Sequence, residues 1–274
     1  MHHIEESGNI ESPITSEELR RWVYRYHPLS APRLRLFCFP YAGGGAATYR
    51  HWSKHLPDGV EVAAMQLPGQ QARAMEKPYQ QLAPLVAEIT RVIEPLLDVP
   101  FALFGHSLGA LLTYELACTV RERFALSPAM LFVSGWRAPH VPSPFPPIHH
   151  LPDSQFIEEL NRRYDGIPPA LLEEKDLLRL MLPGLKASIT LCETYRPAKR
   201  TPLACPISAF GGRNDSMVSC ADIETWRELT SAEFKVTTFA GNHFYIEDAR
   251  DALLRSVAED LSCHCLGKNV SCFE

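Results

Sequence analysis

Short apolar runs alternate with helix-patterned segments along most of this chain, and that alternation limits its fold more than any other feature. The strand-like runs are Leu34–Phe39, Val60–Leu67, Phe101–Phe104, Ala129–Ser134, Pro206–Phe210 and Phe234–Phe239. Between them, Ala46–Leu56, Leu82–Leu97, Leu108–Arg123 and Asp222–Thr230 carry apolar residues at helical spacing, and Ala249–Leu261 closes the series. Strands separated by helices imply a mostly parallel central sheet with helices on both faces, an α/β architecture. A further helix is expected from Thr15 to Tyr26, opened by a capping pattern at Thr15 and Glu18. The chain has 274 residues, 46% of them hydrophobic, enough for one such domain with a full core.

One stretch breaks the alternation. Gly135–Pro202 has no clear strand. It begins with Pro139, Pro142, Pro144, Pro146 and Pro147, then continues with helical spacing at Phe156, Leu160 and Tyr164 and from Leu171 to Leu185. A helical insertion between two strands sits on top of a sheet, and ligands of such sheets bind outside the carboxyl ends of the strands. The insertion, about 135–202, therefore reads as a lid. The organisation expected is an N-terminal extension with a short helix over 1–30, a catalytic-type domain with its lid over 31–261, and a tail over 262–274.

The chemistry centres on Gly105-His106-Ser107-Leu108-Gly109. A G-x-S-x-G pattern arises by chance in roughly one chain of this length in ten, so its context decides. It follows the apolar run Phe101–Phe104 and opens the helix at Leu108, and strand, sharp turn, helix is the setting of a nucleophile elbow in the α/β-hydrolase fold. A serine hydroxyl needs a base, and in that fold the order is Ser, then Asp or Glu, then His. Asp215 follows the run Pro206–Phe210, and His243 follows Phe234–Phe239. Both fall on loops at strand carboxyl ends. Of the 11 histidines, His27, His51 and His55 precede the elbow, and His106 lies inside it as a support. Asp222 is the rival acid but reads as a helix N-cap. His243 would take the Ser107 proton and Asp215 would orient the imidazole.

The oxyanion formed on acyl transfer needs preorganised donors. The backbone N–H of Leu108 is one. The other belongs to the loop after the first strand, Pro40-Tyr41-Ala42-Gly43-Gly44-Gly45; Ala42 is assigned, with Tyr41 or Gly43 as alternatives. This glycine-rich loop lacks the lysine of a phosphate-binding loop.

The ordered segments FPYAGGGAATYRHW, QLPGQQAR, FALFGHSLGALLTYELA, MLPGLKASITLCETYRP, CPISAFGGRNDSMV and FAGNHFYI resemble those of type II thioesterases, the stand-alone editing enzymes of polyketide and nonribosomal peptide synthases. The resemblance spans roughly residues 34 to 261. Six positions depart from the family pattern: Tyr41 stands where His is usual, Gln70 where Arg is usual, Asn242 for Gly and Ser216 for Pro, and Lys186-Ala187-Ser188 replaces Arg-Ala-Asp at its first and third positions. The resemblance implies hydrolysis of acyl groups from the phosphopantetheine thioester of acyl or peptidyl carrier proteins, which are transient partners. It implies no metal and no cofactor of the enzyme's own, since the phosphopantetheine belongs to the carrier. It also implies an acyl chamber under the lid, for which Phe156, Leu160, Leu177, Leu178, Met181 and Leu185 are candidate walls. A general small-acyl esterase or acyltransferase, and an inert hydrolase-like binding module, are the competing readings.

The remaining features narrow the class. A net charge of −5 argues against a nucleic-acid binder. No apolar run reaches the roughly 18 residues of a membrane helix, and Met1–Ile10 is polar. With eight cysteines and no signal-like segment, a cytoplasmic protein with reduced thiols is expected. Cys263-His264-Cys265 lacks the second ligand pair of a zinc site.

Overall fold

The computed structural model describes residues 14–164 and 174–267. The segment before residue 14, residues 171–173 of the expected Leu171–Leu185 helix, and the tail beyond 267 lie outside the described residues.

Seven strands form one sheet: β1 (Val23–Tyr24), β2 (Leu34–Phe39), β3 (Val60–Met65), β4 (Phe101–His106), β5 (Met130–Ser134), β6 (Ile207–Gly212) and β7 (Phe234–Phe239). Their spatial order is β1-β3-β2-β4-β5-β6-β7. All neighbours are parallel except β1, which pairs antiparallel with β3 through Val23↔Met65. Strands β2 to β6 are buried along their whole length. Their side chains divide by the period of two: Phe37, Phe39, Leu103 and Val133 enter one core cluster, while Leu36, Cys38, Phe104 and Phe132 enter the other.

The first cluster is covered by α2 (Leu82–Ile93) and α3 (Leu108–Phe124), whose inner residues, among them Leu85, Ile89, Leu112 and Leu116, pack into it. The second is covered by Tyr49 and Trp52 and by the closing helix, numbered α8 below (Arg250–His264). The lid contains α4 (Asp153–Tyr164) and α5 (Lys175–Thr194). After β6 come the single turns α6 (Cys220–Glu224) and, after β7, α7 (Tyr245–Asp248).

The winding reverses at β2. The chain leaves β2 for β3 on one side, returns to β4 on the other, and then runs outward through β5, β6 and β7. The carboxyl ends of β2 and β4 thus part, and a crevice at such a switch point is where ligands bind. The loops that follow are residues 40–45 and the elbow at Ser107.

Several boundaries differ from the sequence reading. The helix expected to Tyr26 is α1 (Ser16–Trp22), because Val23 and Tyr24 turn into the edge strand. Trp22 and Val23 are core residues, so a boundary after residue 30 cuts this sheet. Thr15 caps the Glu18 N–H at 3.1 Å as expected. The helix expected over Ala46–Leu56 is two 3-10 turns, Ala46–Tyr49 and Trp52–His55. In α6, Ser219 is the N-cap and Asp222 completes its capping box three residues on. The closing helix runs to His264, three residues into the expected tail, and His264 lies 3.6 Å from Glu233.

One buried ion pair lies across the sheet. Arg35 on β2 is 3% exposed and Glu61 on β3 is fully buried. Their side chains meet at 2.6 Å, and Arg35 also reaches Asp98 at 2.6 Å. Removing one partner of a buried pair leaves an uncompensated charge, whereas removing both does not. Arg35→Leu is therefore expected to cost about 3 kcal/mol, and Arg35→Leu with Glu61→Leu to recover most of it, in urea-melt midpoints. A loss below about 1 kcal/mol in the single variant would mean that Arg25, 3.6 Å from Glu61, carries the counter-charge instead.

Candidate active site

Strand β4 ends at His106 and α3 begins at Leu108, leaving one residue for the reversal. Ser107 makes it at φ 56°, ψ −116°, a region costly for a residue with a side chain. The backbones are too close for anything but glycine on either side. A Cβ on Gly105 would lie 2.0 Å from the Gly109 carbonyl oxygen, and one on Gly109 would lie 2.1 Å from that of Phe39. The Ser107 N–H donates to the Ser134 carbonyl of β5 at 2.8 Å, which ties the strained residue to the sheet.

The three residues singled out from the sequence converge. Ser107 Oγ lies 3.0 Å from His243 Nε2, and His243 Nδ1 lies 2.7 Å from Asp215 Oδ2. Asp215 Oδ1 accepts from the backbone N–H groups of Met217 and Val218 at 2.8 and 3.2 Å, so that its carboxylate is held on both oxygens. His243 and Ser107 are 3% and 7% exposed. With Nδ1–H donating to the carboxylate, Nε2 presents its lone pair to the serine hydroxyl, the geometry of a nucleophile and its base. The rings of Tyr164, His106 and Phe244 surround the imidazole at 4.9, 5.3 and 5.4 Å.

The two expected oxyanion donors lie in well-defined local structure. Leu108 is the first residue of α3, and the first N–H groups of a helix have no acceptor within it. In the other loop the Gly44 N–H donates to the Tyr41 carbonyl at 2.9 Å, closing a turn with Gly43 at φ 79° and Ala42 at its second position.

The lid residues divide. Phe156 and Leu160 are buried with Ile148, Leu182 and Ile189 in a small core of the lid itself. Leu185 packs at its edge beside Ala42, and a Cβ on Gly43 would stand 3.3 Å from Leu185 Cδ1. Leu178 and Met181 are half-buried on α5, and Leu177 is exposed.

Other residues of the site were not assigned a role from the sequence. Tyr164, noted only for its helical spacing, packs edge-on against His243. Gln70 and Ser188, two separate departures from the family pattern, meet: Gln70 Nε2 donates to Ser188 Oγ at 2.9 Å, both residues buried. One helical turn earlier, Gly184 lies against the loop backbone, where a Cβ would stand 1.7 Å from the Gly69 carbonyl oxygen. Ser216, another departure, donates its hydroxyl to the Arg163 carbonyl of α4 at 2.9 Å. Asn242 Oδ1 accepts the Phe244 N–H at 2.9 Å, fixing the turn that carries His243. Pairing the departures with one another was the signal that could have found the lid contact.

Such a fold and such a constellation define a serine hydrolase of the α/β-hydrolase class. Residues 34–261 match the thioesterase domain family, and the chain belongs to that family. It is 40% identical over 244 residues to the gramicidin S biosynthesis protein GrsT of Aneurinibacillus migulanus, covering 89% of this chain and 95% of that one. Among solved structures, the RedJ thioesterase of the prodiginine pathway in Streptomyces coelicolor superposes with a TM-score of 0.79 at 39% identity, over 85% of this chain and 92% of that chain. The type II thioesterase BorB from the borrelidin biosynthetic cluster gives 0.79 at 36% identity, over 88% and 97%.

A buried neutral pair at 70 and 188 can be exchanged for a buried ion pair only at both ends together. Gln70→Arg and Ser188→Asp are each expected to lower stability by about 3 kcal/mol, and the double variant to regain at least half of the summed loss. Thermal melts of the four proteins check this. Strictly additive losses would mean that the two side chains do not share one contact.

Proposed function

We propose that this thioesterase releases acyl groups from the phosphopantetheine arm of acyl or peptidyl carrier proteins, clearing synthases that are mis-primed or stalled. The observation that carries the reading is the hydrogen-bonded series Ser107, His243, Asp215 at 3.0 and 2.7 Å beneath a helical lid. The likeness to GrsT, RedJ and BorB supports the substrate class.

Ser107 Oγ attacks the thioester carbonyl carbon while His243 Nε2 takes its proton. The oxyanion is met by the N–H groups of Leu108 and Ala42. Collapse of the intermediate breaks the C–S bond, and His243 returns the proton to the departing thiol. Water then attacks the acyl-serine ester, His243 taking a proton from it and passing one back to Ser107 as the acid leaves. Asp215 holds the imidazole in the tautomer that can accept from serine and stabilises the imidazolium. These steps use only side chains and backbone of this chain; the phosphopantetheine is part of the substrate. Leu185 of the lid stands against the oxyanion loop at Gly43, so it bounds the acyl chain near the reacting carbon. The compartment proposed is the cytoplasm, where carrier-protein synthases operate; among the described residues no helix is long and apolar enough to cross a membrane.

The test is hydrolysis of a panel of acyl groups loaded on a carrier protein, against the same groups on N-acetylcysteamine. Release from the carrier is expected to be the faster, to fall on the order of 10⁶-fold in Ser107→Ala and on the order of 10⁴-fold in Asp215→Asn. Brisk ester cleavage with slow release from the carrier would make the protein a general esterase. Full activity in Ser107→Ala would overturn the mechanism.

A further inference from the structure

Behind the triad lies a second buried histidine that the proposed chemistry does not use. His106 is fully buried on the last position of β4, where it pairs across the sheet with Ser134. Its Nε2 is 2.9 Å from the backbone carbonyl oxygen of His243, 137 residues away in sequence. Its Nδ1 is 2.8 Å from Ser134 Oγ, and Ser134 Oγ is 2.5 Å from the Tyr245 hydroxyl.

The direction of every proton in this series follows from its ends. A carbonyl oxygen only accepts, so His106 Nε2 carries hydrogen and donates. In a neutral imidazole the other nitrogen is then an acceptor, so the Ser134 hydroxyl donates to Nδ1. That commits the single hydroxyl hydrogen of Ser134, and the Tyr245 hydroxyl donates to Ser134 Oγ. Burial holds His106 well below the ordinary histidine range, with His243 beside it adding to the effect, which agrees with a neutral ring. The ring is also wedged. Tyr41 and Tyr245 stand edge-on to it at 5.8 and 5.5 Å, and Gly135, at φ 61°, leaves the space it fills: a Cβ there would lie 2.6 Å from His106 Cε1.

Ser134 joins both halves of the site. Its backbone carbonyl accepts the N–H of Ser107, and its side chain, through His106, reaches the backbone of His243. We infer that His106, held in the Nε2–H tautomer by Ser134 and Tyr245, is a positioning residue that sets the distance between the His243 imidazole and the Ser107 hydroxyl. The inference rests on the assignment of Ser107 and His243 as nucleophile and base.

Its first test reads the wild-type protein. Long-range proton–nitrogen spectra of the full chain labelled with ¹⁵N-histidine at pH 7, with the His106 signals assigned by their loss in His106→Gln, are expected to show His106 protonated at Nε2 and bare at Nδ1. The reverse tautomer or an imidazolium would overturn the inference. The second test reads kcat and KM on the butyryl thioester of N-acetylcysteamine. His106→Leu removes the donor to His243 and is expected to lower kcat about 100-fold, the scale of a displacement of the reacting groups by about 1 Å, with KM within about threefold of wild type. His106→Gln, whose amide N–H can reach the place of Nε2, is expected to recover kcat to within about tenfold of wild type. Both variants are first compared with wild type by circular dichroism. If His106→Leu does not fold, the tautomer and the His106→Gln rate decide. Wild-type kcat in a folded His106→Leu, with Ser107→Ala inactive, would overturn the positioning role alone. Activity surviving in Ser107→Ala would instead overturn the assignment beneath it.

Discussion

Helix α3 lies against the ends of β2 and β4 so closely that a single methyl group does not fit between them, and the rest of the site depends on that approach. It is made possible by Gly105 and Gly109. It forces Ser107 into a conformation that a residue with a side chain resists. The strain is supported by the Ser107 N–H bond to β5 and by the helix that starts directly afterwards. One short turn thereby raises the hydroxyl at the switch point of the sheet, directly before the first N–H of α3. The proposed nucleophile and one proposed oxyanion donor are thus neighbours in the chain.

The other members reach this point from the β6–β7 side of the sheet. Asp215 and His243 follow β6 and β7, each on a loop whose shape is set by backbone bonds: Asp215 Oδ1 gathers two N–H groups, and Asn242 Oδ1 gathers one. The imidazole is enclosed by aromatic rings from three elements, which keeps water from its edges and its orientation narrow. Preorganisation of this kind is what lets fixed dipoles and one base act on a developing charge without reorganising.

Side-chain hydrogen bonds join the lid to the body. Gln70 meets Ser188 and Ser216 meets the end of α4, while within the lid Lys186 ties α5 to Leu151 and Asp153 at the start of α4. The contact between residues 70 and 188 is a neutral hydrogen bond. A buried neutral pair avoids the desolvation of two ions and loses little orientation in return.

The elements and the triad were legible in the sequence because both are written locally. Six of the seven strands are apolar runs of the right length, and Ser107, Asp215 and His243 each follow one of them directly. The strand at Val23–Tyr24 was not legible, since two residues carry no period and pair only because β3 presents a free edge. The break of Ala46–Leu56 into two 3-10 turns was hidden for the same reason: Tyr49 and Trp52 follow the sheet surface they cover. Composition, strand order in the chain and glycine spacing thus determined the fold class and the loops that bear the chemistry. Only the tertiary structure decided which side chains hold those loops, as Gln70 holds Ser188 and His106 holds the His243 backbone across separations of 118 and 137 residues. Helix and strand periods express contacts within a few residues, whereas such pairs exist only once the sheet has brought distant backbones together.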